Sequence, residues 1–194
     1  MEPSIPPVRL GVFDDGRLES GGRRCWIRTR TEPVMVVADA HPDMRVSVIG
    51  GGAITDEQAS RAEAVGRELA VRDHTLVCGG LGGTMEAVCR GAKAEDGTTI
   101  GILPGERPDR ANEYVDHAIA TGLGHARNTL VPLNGNAVIA LAGGVGTLSE
   151  IGFAGIYDRP VVGLETHDLS GIDLDLETVE TPAAAVDAVE SALE

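Results

Sequence analysis

The chain has 194 residues, with 16 Lys+Arg against 30 Asp+Glu and a formal net charge of −14. An apolar fraction of 42% is enough for a core and argues against a wholly disordered chain. Aromatics at 3% and an acidic surface argue against nucleic-acid binding, whether by base stacking or by phosphate contacts. At roughly 150 residues per domain, one domain plus an appendage is expected. No apolar run approaches the ~20 residues of a membrane span. The N-terminal MEPSIPPVRL lacks a signal peptide's apolar stretch, so a cytoplasmic protein is expected.

Composition shifts near residue 43. Residues 1–43 hold six arginines and seven acids, whereas residues 44–194 hold ten cations and twenty-three acids. The first part reads as a small β-meander. It has a strand at Val8–Phe13, a hairpin signal at Asp15–Gly16 and a second turn at Gly21–Gly22. Cys25–Thr31 alternates loosely, Val34–Ala38 is an apolar strand, and His41–Pro42–Asp43 reads as a linker. Arg23, Arg24, Arg28 and Arg30 read as a solvated strand face, with a contact patch as the other reading.

From Met44 strands alternate with helices. Val46–Ile49 ends in Gly50-Gly51-Gly52, and Thr55 or Asp56 can cap a helix running to about Arg72. Thr75–Cys78 ends in Gly79-Gly80-Leu81-Gly82-Gly83, with a helix from Thr84 to about Ala94. Thr99–Leu103 is a strand stopped by Pro104–Gly105, 115–120 forms another, and a helix covers about Leu123–Leu133. Ala137–Leu141 precedes Ala142-Gly143-Gly144-Val145-Gly146 and a helix from Thr147 to about Tyr157. Pro160–Leu164 is the last strand, and Pro182–Leu193 a C-terminal helix. Repeated β-α units with buried-type strands predict an α/β fold, a Rossmann-like parallel sheet with helices on both faces.

Three of these strands end in glycine-rich turns that open helices. Glycine lets backbone approach a ligand, and a helix start offers free N–H groups and a partial positive charge, so the loops point to a phosphate-bearing ligand. The sheet edge is also the expected place, since ligands of open α/β sheets lie outside the carboxyl ends of the strands. A Walker A loop is absent, because Lys93 sits between Ala92 and Ala94 inside a helix. A full GxGxxG is absent too, and Cys78–Gly79 stands where a dinucleotide fold carries its ribose-binding acid. In Gly143-Gly144-Val145-Gly146-Thr147-Leu148-Ser149-Glu150, Thr147 can cap the helix and offer a hydroxyl to phosphate. Thr147-x-x-Glu150 also reads as a capping box, which leaves Glu150 with either a structural or a chemical role.

Lys93 is the only lysine, the other fifteen cations being arginines. Acid surplus with almost no lysine resembles the proteins of salt-adapted archaea. Cys25, Cys78 and Cys89 form no CxxC pair, which fits a reducing compartment without a disulfide frame. The five histidines are scattered, and no metal site is expected.

The segment GGVGTLSE resembles the GGxGTxxE motif of the Lonely Guy (LOG) superfamily, once called possible lysine decarboxylases. Gly124-His125-Ala126-Arg127-Asn128 resembles the arginine segment upstream of that motif, and Cys78 to Val88 resembles the family's central glycine loop. The similarity runs over about residues 45–194. Its nearest branch is the LOG-like group with molybdenum cofactor carrier proteins, distantly related to DNA-processing protein A. LOG enzymes hydrolyse the N-glycosidic bond of cytokinin nucleotides. The resemblance implies that Gly143, Gly144, Gly146 and Thr147 bind phosphate and that Arg127 and Glu150 are the catalytic pair. Such a carboxylate can activate water or stabilise an oxocarbenium-like ribose while arginine fixes substrate oxygens. Two departures from the enzymes, Ala142 for their proline and Asn128 for their lysine, fit the carrier-like branch better.

The expectation is therefore a β-meander at 1–43 and a Rossmann-like LOG-family domain at 44–194. Its function is to bind a nucleotide or a phosphorylated pterin such as molybdenum cofactor. The alternative is a nucleoside 5′-monophosphate phosphoribohydrolase. Besides the residues above, Gly50, Gly51, Gly52, Gly79, Gly80, Gly82, Gly83, Thr84 and Asn128 are the expected ligand-binding set. No cofactor is required, and a homodimer or homotetramer is expected.

Overall fold

A computed structural model describes residues 24–28, 33–37 and 44–193. The chain divides into two units, Met1–Asp43 and Met44–Glu194. In the first, β1 (Arg24–Arg28) pairs antiparallel with β2 (Pro33–Val37), with Arg24 opposite Val37 and Arg28 opposite Pro33. The expected strand Val8–Phe13, the turns at Asp15–Gly16 and Gly21–Gly22, Arg23, Arg30 and the linker lie outside the described residues.

The second unit is an α/β Rossmann-like fold built on a seven-stranded, wholly parallel sheet. Its strands are β3 (Arg45–Ile49), β4 (Thr75–Cys78), β5 (Thr99–Leu103), β6 (His117–Ala120), β7 (Ala137–Ala140), β8 (Val161–Leu164) and β9 (Leu176–Val179). The order is β6-β5-β4-β3-β7-β8-β9. Strand β9 was not expected: its Leu176-Glu177-Thr178-Val179 lies in an acidic stretch without the apolar run of the inner strands, as suits an edge position. Five helices cover the sheet: α1 (Asp56–Val71), α2 (Thr84–Ala94), α3 (Leu130–Asn134), α4 (Val145–Ile156) and α5 (Pro182–Ser191).

Alternation along each strand separates two cores. Val46, Val48, Leu76, Ala137 and Ile139 pack with Val65 and Leu69 of α1, Val88 of α2 and Val186 of α5. Their neighbours Ile49, Val77, Val138 and Ala140 pack on the opposite face with Val131 of α3 and Ile151 and Ala154 of α4. This is the pleat's two-residue period, buried on both sides as parallel sheets require. Ser47 falls among the second set, and its buried hydroxyl donates to the Val131 carbonyl at 2.7 Å, tying α3 to β3. Among the described residues no helix is long and apolar enough to cross a membrane.

The helix expected over Leu123–Leu133 is in fact a 3-10 segment, Gly124–Thr129, followed by the short α3. Pro132 explains the break: it has no N–H to give the Asn128 carbonyl, so one regular α-helix cannot run through both. Helix α1 starts as expected. Thr55 accepts from the Gln58 N–H at 3.2 Å, and Gln58 Oε1 accepts from the Thr55 N–H at 2.9 Å, a complete capping box.

Candidate functional site

Chain direction across the sheet reverses between β3 and β7, the switch point where open α/β sheets leave a crevice. The loops after β3, β4 and β7 meet there. Gly51 N–H donates to Ala142 O, and Thr84 N–H donates to Gly51 O, both at 2.9 Å. A Cβ on Gly83 would lie 2.5 Å from the Gly51 oxygen, and its φ is +67°, so only glycine allows this approach. The loops wall a cavity of about 280 Å³.

Ten of the expected site residues line it: Gly50, Gly51, Gly52, Gly79, Arg127, Asn128, Gly144, Gly146, Thr147 and Glu150. The other five do not. Gly83 and Thr84 begin α2 and hold the Gly51 loop, Gly80 bonds through its carbonyl to the Asn112 N–H, and Gly82 faces Glu86. Gly143 packs under the Thr147 hydroxyl, which a Cβ there would meet at 2.1 Å. These five shape the wall from behind. Met85 and His125 line the cavity and were not in the expected set. His125 lies inside the recognised arginine segment, which was the available signal. Met85 lies inside the central glycine-loop segment, where nothing local separates a cavity-facing methionine from a core one.

Helix α4 corrects one expectation. It begins at Val145, with Gly144 as N-cap and no side-chain cap bond. Thr147 is therefore its third residue and Glu150 its sixth, and Thr147-x-x-Glu150 is not a capping box. Both side chains are buried and line the cavity. Leu148 is the residue whose N–H returns to Gly144 O, at 3.0 Å. The amides of residues 145–147 have no acceptor within the helix, and they carry its positive dipole end.

Arg127 arrives from the 3-10 segment, and its Nη1 donates to Glu150 Oε1 over a long 3.4 Å. The two side chains are only 9% and 10% exposed. Arg127 Nε is buried without a hydrogen-bond partner. Burial lowers the guanidinium's pKa, with Glu150 opposing. Burial likewise pushes the Glu150 carboxyl up to about 7, against the pull of Arg127. Asn128 turns the other way: its Nδ2 donates to Ser149 Oγ at 3.0 Å and lies 3.5 Å from Gly146 O, fastening the Arg127 segment to the first turn of α4. The site thus combines free helix-start amides, a hydroxyl, an under-bonded arginine and a carboxyl that titrates near neutrality. Such a set can hold an anion and can give or take a proton.

Residues 43–192 match the SLOG cluster4 family. An uncharacterized protein of Archaeoglobus fulgidus is 38% identical over 74% of this chain and 92% of its own. The cytokinin riboside 5′-monophosphate phosphoribohydrolase of Mycobacterium marinum is 36% identical, over 54% of this chain and 60% of its own. Among solved structures, the molybdenum cofactor binding protein of the phototrophic bacterium Rippkaea orientalis superposes with a TM-score of 0.74. It is 32% identical, over 78% of this chain and 98% of that one.

Proposed function

The chain belongs to the SLOG cluster4 family, and from that premise we propose that it binds a nucleotide or a phosphorylated pterin as cargo in the β3–β7 crevice. The observation that carries this reading is Arg127, buried in the cavity wall with Nε unpartnered and one long contact to Glu150. Burying a guanidinium so poorly bonded is costly unless an anion completes its hydrogen bonds. Helix-start amides 145–147 and the Thr147 hydroxyl supply the phosphate cradle beside it. The structural likeness to a molybdenum cofactor binding protein supports this cargo class. No resident cofactor is needed for it, and a cytoplasmic location is proposed with it. The test is thermal stabilisation by nucleoside monophosphates and by molybdopterin, since a ligand that binds only the folded state raises its stability. Wild type should shift, and Arg127→Ala should shift much less. No shift with either class at millimolar ligand overturns the reading.

A second reading rests on Glu150. A carboxyl with a pKa of about 7 suits general acid–base work near neutral pH, and the mycobacterial relative is a phosphoribohydrolase. Here Glu150 would activate water or stabilise the developing positive charge on ribose, with Arg127 holding substrate oxygens. Asn128 favours binding over turnover, because it is spent on Ser149 and Gly146 where the hydrolases place a lysine. Incubation with AMP decides between them. Ribose 5-phosphate release by wild type, abolished in Glu150→Gln, promotes the enzyme; intact AMP supports the carrier.

A further inference from the structure

Two buried thiols lie directly behind the cavity wall. Cys78 ends β4, one residue before Gly79, and Cys89 lies within α2. Both are fully buried, and their Sγ atoms are 3.5 Å apart. Neither has a part in the ligand reading above. One backbone donor serves Cys78: the Gly80 N–H points to its Sγ at 3.3 Å. The hydrogen bond with Cys89, then the Gly80 N–H and the nearby Arg127, hold the Cys78 thiol below its usual pKa against the opposing effect of burial. The same contact and burial push Cys89 up. The two sulfurs share one hydrogen bond in which either can donate, and Cys78 alone also receives a backbone N–H, so Cys78 is the sulfur better placed to carry charge as the attacking thiolate and Cys89 to resolve.

We propose that Cys78 and Cys89 are a dithiol–disulfide pair that reshapes the ligand cavity, with a low-molecular-weight disulfide as oxidant. The consequence for ligand affinity rests on the ligand-site reading above; the chemistry of the pair does not. The Cys78 thiolate attacks one sulfur of the oxidant, forming a mixed disulfide and releasing one thiol. Cys89 then loses its proton and attacks Cys78 Sγ, forming the internal bond and releasing the second thiol. Two protein thiols are oxidised and one disulfide is reduced to two thiols.

Geometry links this bond to the cavity. A disulfide needs about 2.05 Å between sulfurs, so the pair must close by about 1.5 Å. Cys78 Sγ cannot move without disturbing the Gly80 N–H and its weak 3.9 Å contact to the Met85 carbonyl. Gly79 and Met85, which bracket those contacts, both line the cavity. The same loop holds the Gly51 loop through the Thr84 N–H. Closure therefore shifts one wall and strains its neighbour. Opening of that wall is also the path by which an oxidant reaches the sulfurs, so a bound ligand should shield them.

The test uses the full chain carrying Cys25→Ser, which removes the remaining cysteine. The protein is treated with oxidised glutathione under native conditions, then mapped by peptide mass and by amide hydrogen exchange. The expected result is a Cys78–Cys89 linked peptide, reversed by dithiothreitol, with several-fold altered exchange over residues 79–85. AMP should bind at least tenfold differently to the two forms. Adding Cys89→Ser should trap glutathione on Cys78. Protein that stays fully reduced overturns the proposal, and so does a crosslink that leaves exchange over 79–85 unchanged. If the reduced protein does not bind AMP or molybdopterin, the ligand reading fails, while crosslink and exchange still decide the redox pair.

Discussion

Arg127 and Glu150 are a buried pair held at arm's length, and their burial has a measurable signature. Glu150 titrates near 4.5 when unfolded and at about 7 when folded. Between those values the folded chain keeps a proton that the unfolded chain has released. Glu150's contribution to stability is therefore full below pH 4.5, falls as pH rises through that window, and levels off above about 7. At about 1.4 kcal/mol per pH unit the fall amounts to roughly 3 kcal/mol. Glu150→Gln has no proton to lose, so its urea-unfolding free energy should lack this fall; parallel pH profiles for variant and wild type would refute the assignment. Gly79 tests the same pair from the other side. A Cβ there would lie 2.6 Å from both Arg127 Nη1 and Met85 Sδ. Both atoms end flexible side chains, so the fold can yield while the guanidinium is displaced. Gly79→Ala is expected to melt close to wild type yet bind nucleoside monophosphate about tenfold more weakly, a loss of about 1.4 kcal/mol by calorimetry.

Helix ends show where the sequence could be read and where it could not. Helices α1, α2 and α4 each finish in a Schellman turn whose left-handed residue is aspartate: Asp73 (φ +63°), Asp96 (φ +57°) and Asp158 (φ +52°). In each turn the next N–H returns to the third-last helical carbonyl: His74 to Leu69, Gly97 to Ala92 and Arg159 to Ala154, all at 2.9 Å. Glycine suits that conformation better, and a negative charge at a helix C-terminus opposes the dipole. Asp158→Gly should therefore stabilise the chain by about 0.5–1 kcal/mol in urea titration; a loss of stability would show that the aspartate has a partner outweighing both effects. The ends of these helices were legible because the apolar pattern stops there. The start of α4 was not, because Thr147-x-x-Glu150 imitates a capping box while the true N-cap, Gly144, contributes no side chain. Unbroken apolar runs such as Ala137–Ala140 marked strands buried on both faces, and the glycine loops marked the edge where the cavity lies. Which loop glycines face the cavity, and which only let two loops touch, depends on contacts between segments far apart in sequence. No local pattern encodes those contacts.

At the scale of the whole molecule, the net charge of −14 is the dominant long-range term. Like charges repel across a compact chain, and salt reduces their reach from about 10 Å at 0.1 M to about 3 Å at 1 M. Thermal unfolding should therefore occur at higher temperature in 1 M than in 0.1 M potassium chloride, and a flat or falling trend would show that like-charge repulsion does not limit the chain's stability. The expectation of assembly rests on a different surface. On the outer side of α4, Val145 (83%), Leu148 (38%) and Ile156 (70%) stay exposed, and Gly152 between them leaves that side open. Their spacing of three to four residues makes one stripe along the helix. Ala154 faces the sheet and is fully buried, while Phe153 stacks on Tyr157 with ring centroids 6.3 Å apart. An apolar stripe on so acidic a chain is expensive to leave in water, and a second copy of the same helix offers the matching small and branched side chains. A homo-oligomer is expected, and screening by salt should strengthen it. Light scattering should give a multiple of the 20.1 kDa chain mass in 1 M salt. Ile156→Asp, which puts a charge on the apolar stripe of each copy, should return it to a monomer without unfolding. A wild-type monomer at every salt concentration would show that the stripe serves another purpose.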